Sequence, residues 1–205
     1  MGMNQLSIED FTKALAAKSS VPGGGGASGL VGSIGIALGT MVGQFTVGKK
    51  TYAAVEKDIL GLMEKAEALR EKLLQCIDDD AKAFEPLSKA YAIPKDEPTR
   101  GDILEKCLKD AAIVPFKIAE LTCQAIDLQR DLADKGSKLM ISDAATGAVI
   151  LLGALKGAAV NVKVNTRLMS DREYANSLEQ QIDSLVEEYS LKAEQIYEDV
   201  VERLG

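Results

Sequence analysis

The amino-acid sequence predicts an all-α fold: a single-domain bundle of about six helices over residues 1–205, with two glycine-rich helices as its inner pair. Long segments place apolar residues at three- and four-residue steps with charges between them, which is the period of a helix with one buried face. The chain has only five prolines and 4% aromatic residues, and its alanine- and leucine-rich segments argue against sheets. With 46% hydrophobic and 27% charged residues it has the material for a core and does not read as a disordered polymer.

Taken in order, Ser7 is an N-cap with Asp10 at the reciprocal three-residue spacing. Phe11 and Leu15 then form an i,i+4 apolar pair, so a short first helix runs to about Lys18. SSVPGGGG ends it, because proline lacks an amide donor and consecutive glycines cost backbone entropy. A second helix runs from around Gly26 to near Gly48. From Tyr52 to about Tyr91, the residues Val55, Ile59, Leu62, Ala66, Leu69, Leu73 and Ile77 trace one apolar stripe of a long third helix. AIPKDEPTRGD is the clearest loop. Ile103, Leu104 and Leu108 restart the period and carry it through Ile118 and Ile126 to Leu132, with Pro115 expected to kink or break this fourth helix. ADKGSK turns the chain into a very apolar fifth helix, MISDAATGAVILLGALKGAAVNVKVN. Asp171 caps a sixth that is amphipathic to its end. No repeat of 20 to 50 residues and no linker divides the chain.

A net charge of −7 disfavours nucleic acid and anionic lipid as partners, though a local basic pocket for a small anion is compatible with it. Cys76, Cys107 and Cys123 are far apart and form no CxxC pair, so neither a zinc knuckle nor a disulfide framework is indicated. The expected setting is a reducing cytoplasm, and the start MGMNQLSIED does not read as a secretory signal. Histidine is absent, which excludes serine–histidine and cysteine–histidine hydrolase mechanisms and removes the commonest metal ligand. Acid–base chemistry therefore falls to carboxylates, lysine, tyrosine, hydroxyls or thiols.

The run VPGGGG lacks the lysine and hydroxyl of a phosphate-binding loop and has no strand before it, so a nucleotide site is not indicated. It serves either as a plain turn or as a ligand-facing turn whose glycines expose amides at a helix start. The uncharged stretch after it is long enough to raise a membrane span, which needs roughly 20 apolar residues. Gly29, Gly32, Gly35, Gly39 and Gly43 instead strip side chains from one helical face, and a buried, closely packed helix is expected with no membrane partner. Asp143 is either a helix-start charge or a partly buried acid–base carboxylate. Asp78, Asp79 and Asp80 cannot all face one way; Asp80, four residues before Phe84, is the one placed to turn inward with it. Asn161 and Asn165 share a face one turn apart, either as interhelical bonds or as ligand contacts. Lys49, Lys50, Lys163 and Arg167 near the ends of the glycine-rich helices form either a solvated boundary or an anion-focusing cluster.

Five segments in register, VPGGGGASGLVGSIGIALGTMVGQFTVGKKTY, DDDAKAF, YAIPKD, AAIVPFKIAE and SDAATGAVILLGALKGAAVNVKVN, resemble the cyclodeaminase/cyclohydrolase family over essentially the whole chain. The resemblance implies a helical bundle that associates as dimers or larger rings and acts on a tetrahydrofolate carrying a one-carbon unit. It places the family's PGGG loop on Pro22, Gly23, Gly24 and Gly25, its basic end on Gly48, Lys49, Lys50 and Tyr52, and its D-x-x-A-F element on Asp80, Ala83 and Phe84. Ser142 and Asp143 match its SD element, and Asn161 and Asn165 its asparagines. Where many relatives have serine after PGGG, this chain has Gly26, without a hydroxyl.

Two reactions follow from the resemblance: hydrolysis of 5,10-methenyltetrahydrofolate to 10-formyltetrahydrofolate, and cyclisation of formiminotetrahydrofolate with release of ammonia. The 205 residues include no formiminotransferase region, which favours the first. A non-catalytic bundle that binds folate or protein is the remaining alternative. The implied roles are Asp143 as main acid–base group, Asp80 as its partner, the loop amides, Asn161 and Asn165 as substrate contacts, and Lys49 or Lys50 for the anionic glutamyl tail. No metal and no permanently bound cofactor is implied, and the expected state is a homodimer.

Overall fold

The computed structural model describes residues 2–205; Met1, part of the expected 1–205 unit, lies outside them. Six helices follow one another: α1 (Ile8–Ala16), α2 (Gly24–Gln44), α3 (Glu56–Tyr91), α4 (Arg100–Lys135), α5 (Ile141–Thr166) and α6 (Arg172–Leu204). No strand occurs among the described residues. Both expected caps form: the Asp10 amide donates to Ser7 Oγ at 3.0 Å and the Tyr174 amide to Asp171 Oδ1 at 3.1 Å. α3 starts four residues later than its apolar period suggested. The chain first turns at Gly48, whose φ of 78° suits only glycine, and the Gly48 amide then donates to Glu56 Oε2 at 2.9 Å.

α2 and α5 pack on each other, antiparallel, and both lie on α4; α3 flanks α2 and α6 flanks α5. The glycines set the α2–α5 distance. A Cβ on Gly35 would lie 2.7 Å from Leu151 Cγ, and one on Gly147 would lie 2.9 Å from the Gly35 carbonyl oxygen. Leu73, Ile118, Ile126, Leu151, Leu155 and Ile182 fill the core between these helices. The expected inner pair is only half enclosed. Their sides away from α4 stay on the surface, because α3, α4 and α6 cover one side of the pair and no other helix among the described residues covers the other.

α4 is continuous through Pro115, so of the kink or local break expected there the break does not occur. Proline cannot donate the helical bond to the carbonyl four residues earlier, here that of Ala111. Asn165 of α5 supplies it, with Nδ2 3.3 Å from the Ala111 oxygen. A donor from a neighbouring helix thus satisfies a buried acceptor that would otherwise be orphaned.

Candidate active site

Where the N-terminus of α2 meets α3, α4 and the C-terminal half of α5, a cavity of about 170 Å³ opens. Its lining includes Gly23, Gly24, Gly25, Asp80, Phe84, Pro115, Asn161 and Asn165. Gly23 is the N-cap of α2 and has no side chain to cap with. Asp80 takes that role from α3: its Oδ2 accepts the Gly26 amide at 3.0 Å. The glycines make the approach feasible, since a Cβ on Gly25 would fall on the Asp80 carboxyl and one on Gly24 would lie 2.8 Å from Asn161 Nδ2. Amides of the first helical turn have no partner within their own helix, so the cavity wall carries partial positive charge beside one carboxylate.

Burial pushes the Asp80 carboxyl above its ordinary range, against the opposing pull of the Gly26 amide. Loss of hydration disfavours the anion, while the donated bond favours it. Among the described residues, Asp80 is the only charged one in the cavity lining. Asn161 donates through Nδ2 to the Gly157 carbonyl at 2.8 Å, and Asn165 donates to the Asn161 carbonyl at 3.0 Å as well as to Ala111. Both asparagines are thereby held by their nitrogens, leaving their carbonyl oxygens as the acceptors available to a ligand.

The other two aspartates of the triplet turn elsewhere. Asp78 Oδ1 accepts the Met3 amide at 2.6 Å, and Asp79 faces Gln75 and Lys117. The structure thus brings Gly23, Gly24, Gly25, Asp80, Asn161 and Asn165 together, with Pro22 buried behind the glycines. It does not bring Asp143, Lys49 or Lys50 to them within one chain. Asp143 is eighteen residues before Asn161 on an unbroken helix, about 27 Å away at 1.5 Å per residue. Lys49 lies beyond the far end of α2, with Nζ 3.2 Å from Ser137 Oγ, and Lys50 is exposed beside it. Lys163 pairs with Asp183 of α6.

A wider cavity of about 410 Å³ occupies that far end, lined by Tyr52, Lys135, Lys138 and Arg203 among others. Two of its three cations have structural duties: Arg203 donates to the Ala133 carbonyl and to Asp134, and Lys135 pairs with Asp58, at helix ends where positive charge is favoured. Tyr52 accepts the Lys138 amide at 3.0 Å, which lowers its phenol below the usual value. Size alone does not make this the reactive end, for the raised carboxyl and the unpartnered amides are at the other.

Sequence reasoning missed the contribution of Pro115 and Val164 to the cavity. The proline itself held the signal, because an interior proline on a buried helix requires a donor for the carbonyl four residues back.

The chain matches the formiminotransferase-cyclodeaminase family over residues 7–184. It is 36% identical over 203 residues to methenyltetrahydrofolate cyclohydrolase of Methylorubrum extorquens, covering 97% of this chain and 98% of that protein. It is 31% identical over 191 residues to formimidoyltransferase-cyclodeaminase of Mus musculus, covering 91% of this chain and 35% of that longer protein. The crystal structure of formiminotetrahydrofolate cyclodeaminase from Thermotoga maritima superposes with a TM-score of 0.84 at 28% identity, covering 96% of this chain and 98% of that one.

Proposed function

Because the chain belongs to the formiminotransferase-cyclodeaminase family, we propose that it hydrolyses 5,10-methenyltetrahydrofolate to 10-formyltetrahydrofolate. The near full-length identity to the Methylorubrum cyclohydrolase supports this reaction over ammonia release. The observation that carries the chemistry is Asp80, a half-buried carboxyl of raised pKa facing a cavity of helix-start amides.

The reaction needs one group to take a proton from water as it adds to the amidinium carbon and to return a proton to N5 as that nitrogen leaves. The cation and one water become a neutral formyl product and one released proton. A carboxyl whose pKa lies closer to neutrality suits both transfers. As a carboxylate, Asp80 also stabilises the substrate's positive charge. The carbonyl oxygens of Asn161 and Asn165 would orient the ring, and the amides of Gly24 and Gly25 would stabilise the oxyanion character of the added oxygen. Asp143 and the lysines serve the reaction only if a second chain brings them to the cavity, and the same reading takes the working unit to be a homodimer in the cytoplasm. No metal or resident cofactor enters the scheme.

The Thermotoga structure favours a second reading, in which N10 attacks the formimino carbon on N5 and ammonia leaves. It asks the same proton transfers of Asp80. One paired assay decides: loss of the methenyl chromophore in one cell, ammonia release from formiminotetrahydrofolate in the other. Chromophore loss without ammonia is expected. Ammonia alone would give the chain to the second reaction, and silence in both would leave a binding bundle.

A further inference from the structure

The Asp80 cavity is too small and of the wrong charge for the whole of the substrate proposed for it. At about 170 Å³ it falls below the range of about 300–1,000 Å³ usual for small-molecule sites. Folate joins its bicyclic ring to a benzoyl group and then to a glutamate with two carboxylates. Among the described residues the only charge in the cavity lining is Asp80 itself, so the anionic end is repelled where the cationic amidinium is attracted. The tail has to leave the cavity.

A second hollow, of about 500 Å³, adjoins the first across Ser20 and Val21, which line both. Its floor is the next face of α3. Asp80, Phe84 and Ser88 stand four residues apart in one row along the helix; the first two line the cavity and the third lines the groove. Ala81, Glu85 and Ser88 lie about 80–140° around α3 from Asp80, at 3.6 residues per turn. Asp78 supplies another wall. Its Oδ1 accepts the Met3 and Asn4 amides at 2.6 and 3.3 Å and so lays the N-terminal segment along α3, where Met3 lines the groove.

The groove has the chemistry that the cavity lacks. Met3, Val21 and Ala81 are half-buried and offer apolar surface to an aromatic ring, against which a thioether also packs well. The hydroxyls of Ser20 and Ser88 make no hydrogen bond among the described residues, and each can donate to a carboxylate. Lys82, Glu85 and Lys89 put two cations and one anion along the groove, in a chain of net charge −7. Lys89 Nζ is 2.7 Å from Glu85 Oε1, an exposed pair that water screens and a ligand can exchange. Lys82 makes no ion pair among the described residues.

We propose that this groove is the second half of the binding site and holds the benzoyl-glutamate portion of the substrate, with the ring against Val21 and Ala81 and the carboxylates at Lys82 and Lys89. The identity of that ligand rests on the reading of the cavity given above. The lysines of α3 thereby take, within one chain, the role that the family resemblance assigned to Lys49 or Lys50.

The test uses ligands that differ only in the glutamate. Tetrahydrofolate is compared with tetrahydropteroate by calorimetry, and their 5,10-methenyl derivatives by loss of the chromophore. The wild-type chain is expected to bind tetrahydrofolate about tenfold more tightly than tetrahydropteroate, each exposed ion pair contributing a few-fold. The double variant Lys82→Gln, Lys89→Gln is expected to erase that ratio. It raises KM for methenyltetrahydrofolate about tenfold with kcat unchanged, and leaves the pteroate compounds as they were. Glu85→Gln frees Lys89 and is expected to tighten tetrahydrofolate alone about two- to threefold. Equal wild-type affinity for the two ligands overturns the proposal, as does a ratio that survives in the double variant. A ratio lost instead in Arg167→Gln or Lys50→Gln also overturns it, by sending the tail over α5 or to another chain. A chain that binds tetrahydrofolate through these lysines yet converts neither methenyl- nor formiminotetrahydrofolate refutes the reaction and keeps the groove. Binding of neither ligand overturns both readings.

Discussion

Asp80 and Gly26 are 54 positions apart in the chain and 3.0 Å apart in space, carboxylate oxygen to amide nitrogen. This bond caps α2 from outside, and it fixes the cavity's carboxyl against the helix start. The side chain that secures the fold here is thus the one offered for the chemistry, and its two roles separate on substitution.

Asp80→Asn is expected to lower turnover about a hundredfold or more, the scale of removing a positioned acid–base group. Stability moves the other way. The raised carboxyl of the folded chain favours the protonated form, so the wild type is unpenalised below the ordinary carboxylate range and loses stability as pH rises through the raised value. The variant has no such loss and keeps an oxygen for the Gly26 amide. Urea midpoints for the two should therefore diverge from acid to neutral pH in favour of Asp80→Asn. Parallel pH curves would show that burial does not shift this carboxyl.

Gly25→Ala sets a methyl group on the Asp80 carboxyl and is expected to cost about 1–3 kcal/mol as an overpacking change, with activity lost alongside. Gly26→Ala is the control. Its Cβ would meet Ile77 and Pro22 at an ordinary 3.7 Å, and replacing glycine within a helix gains up to about 1 kcal/mol. If both variants melted together, the close approach of Asp80 would not be what requires glycine.

Asn165→Ala leaves the Ala111 carbonyl buried without its donor and is expected to cost about 1–3 kcal/mol. In a Pro115→Ala background the restored amide can reach that carbonyl, so the same substitution should cost less there. A double-mutant cycle by denaturant melting measures the difference. Additive effects would mean that Asn165 contributes by some other contact.

Burial raises the Cys76 thiol to about 11 and the Cys123 thiol to about 12, while Cys107 is only half-buried. The native chain at pH 8 should therefore show one reactive thiol to a disulfide reagent, Cys107, and three after unfolding. Fast modification of Cys123 in the native state would place it outside the core.

The helices were legible because their period survives in the chain: the stripe from Ile59 to Ile77 is buried as its spacing required, and Ser7 and Asp171 cap where caps were read. Asp80 was legible as the inward member of its triplet from its register with Phe84. The distance from Asp80 to Asp143 was not, since a family motif carries order along a chain but not which end of a helix each piece occupies. Pro115 was read for its missing amide alone. The donor that replaces it comes from another helix, 54 positions from the Ala111 carbonyl it serves, and no local rule points across that gap.

The cap on α2 also ties ligand charge to proton occupancy. With its proton on, Asp80 leaves a cavity walled by helix-start amides and inclined toward anions; with the proton off, the cavity holds a fixed negative charge and prefers a cation. Binding of a cationic amidinium would then expel a proton to the solvent, and formation of a neutral product would let one return. Calorimetry in buffers of different ionisation enthalpy reads that exchange directly, as a binding heat whose slope counts the protons moved.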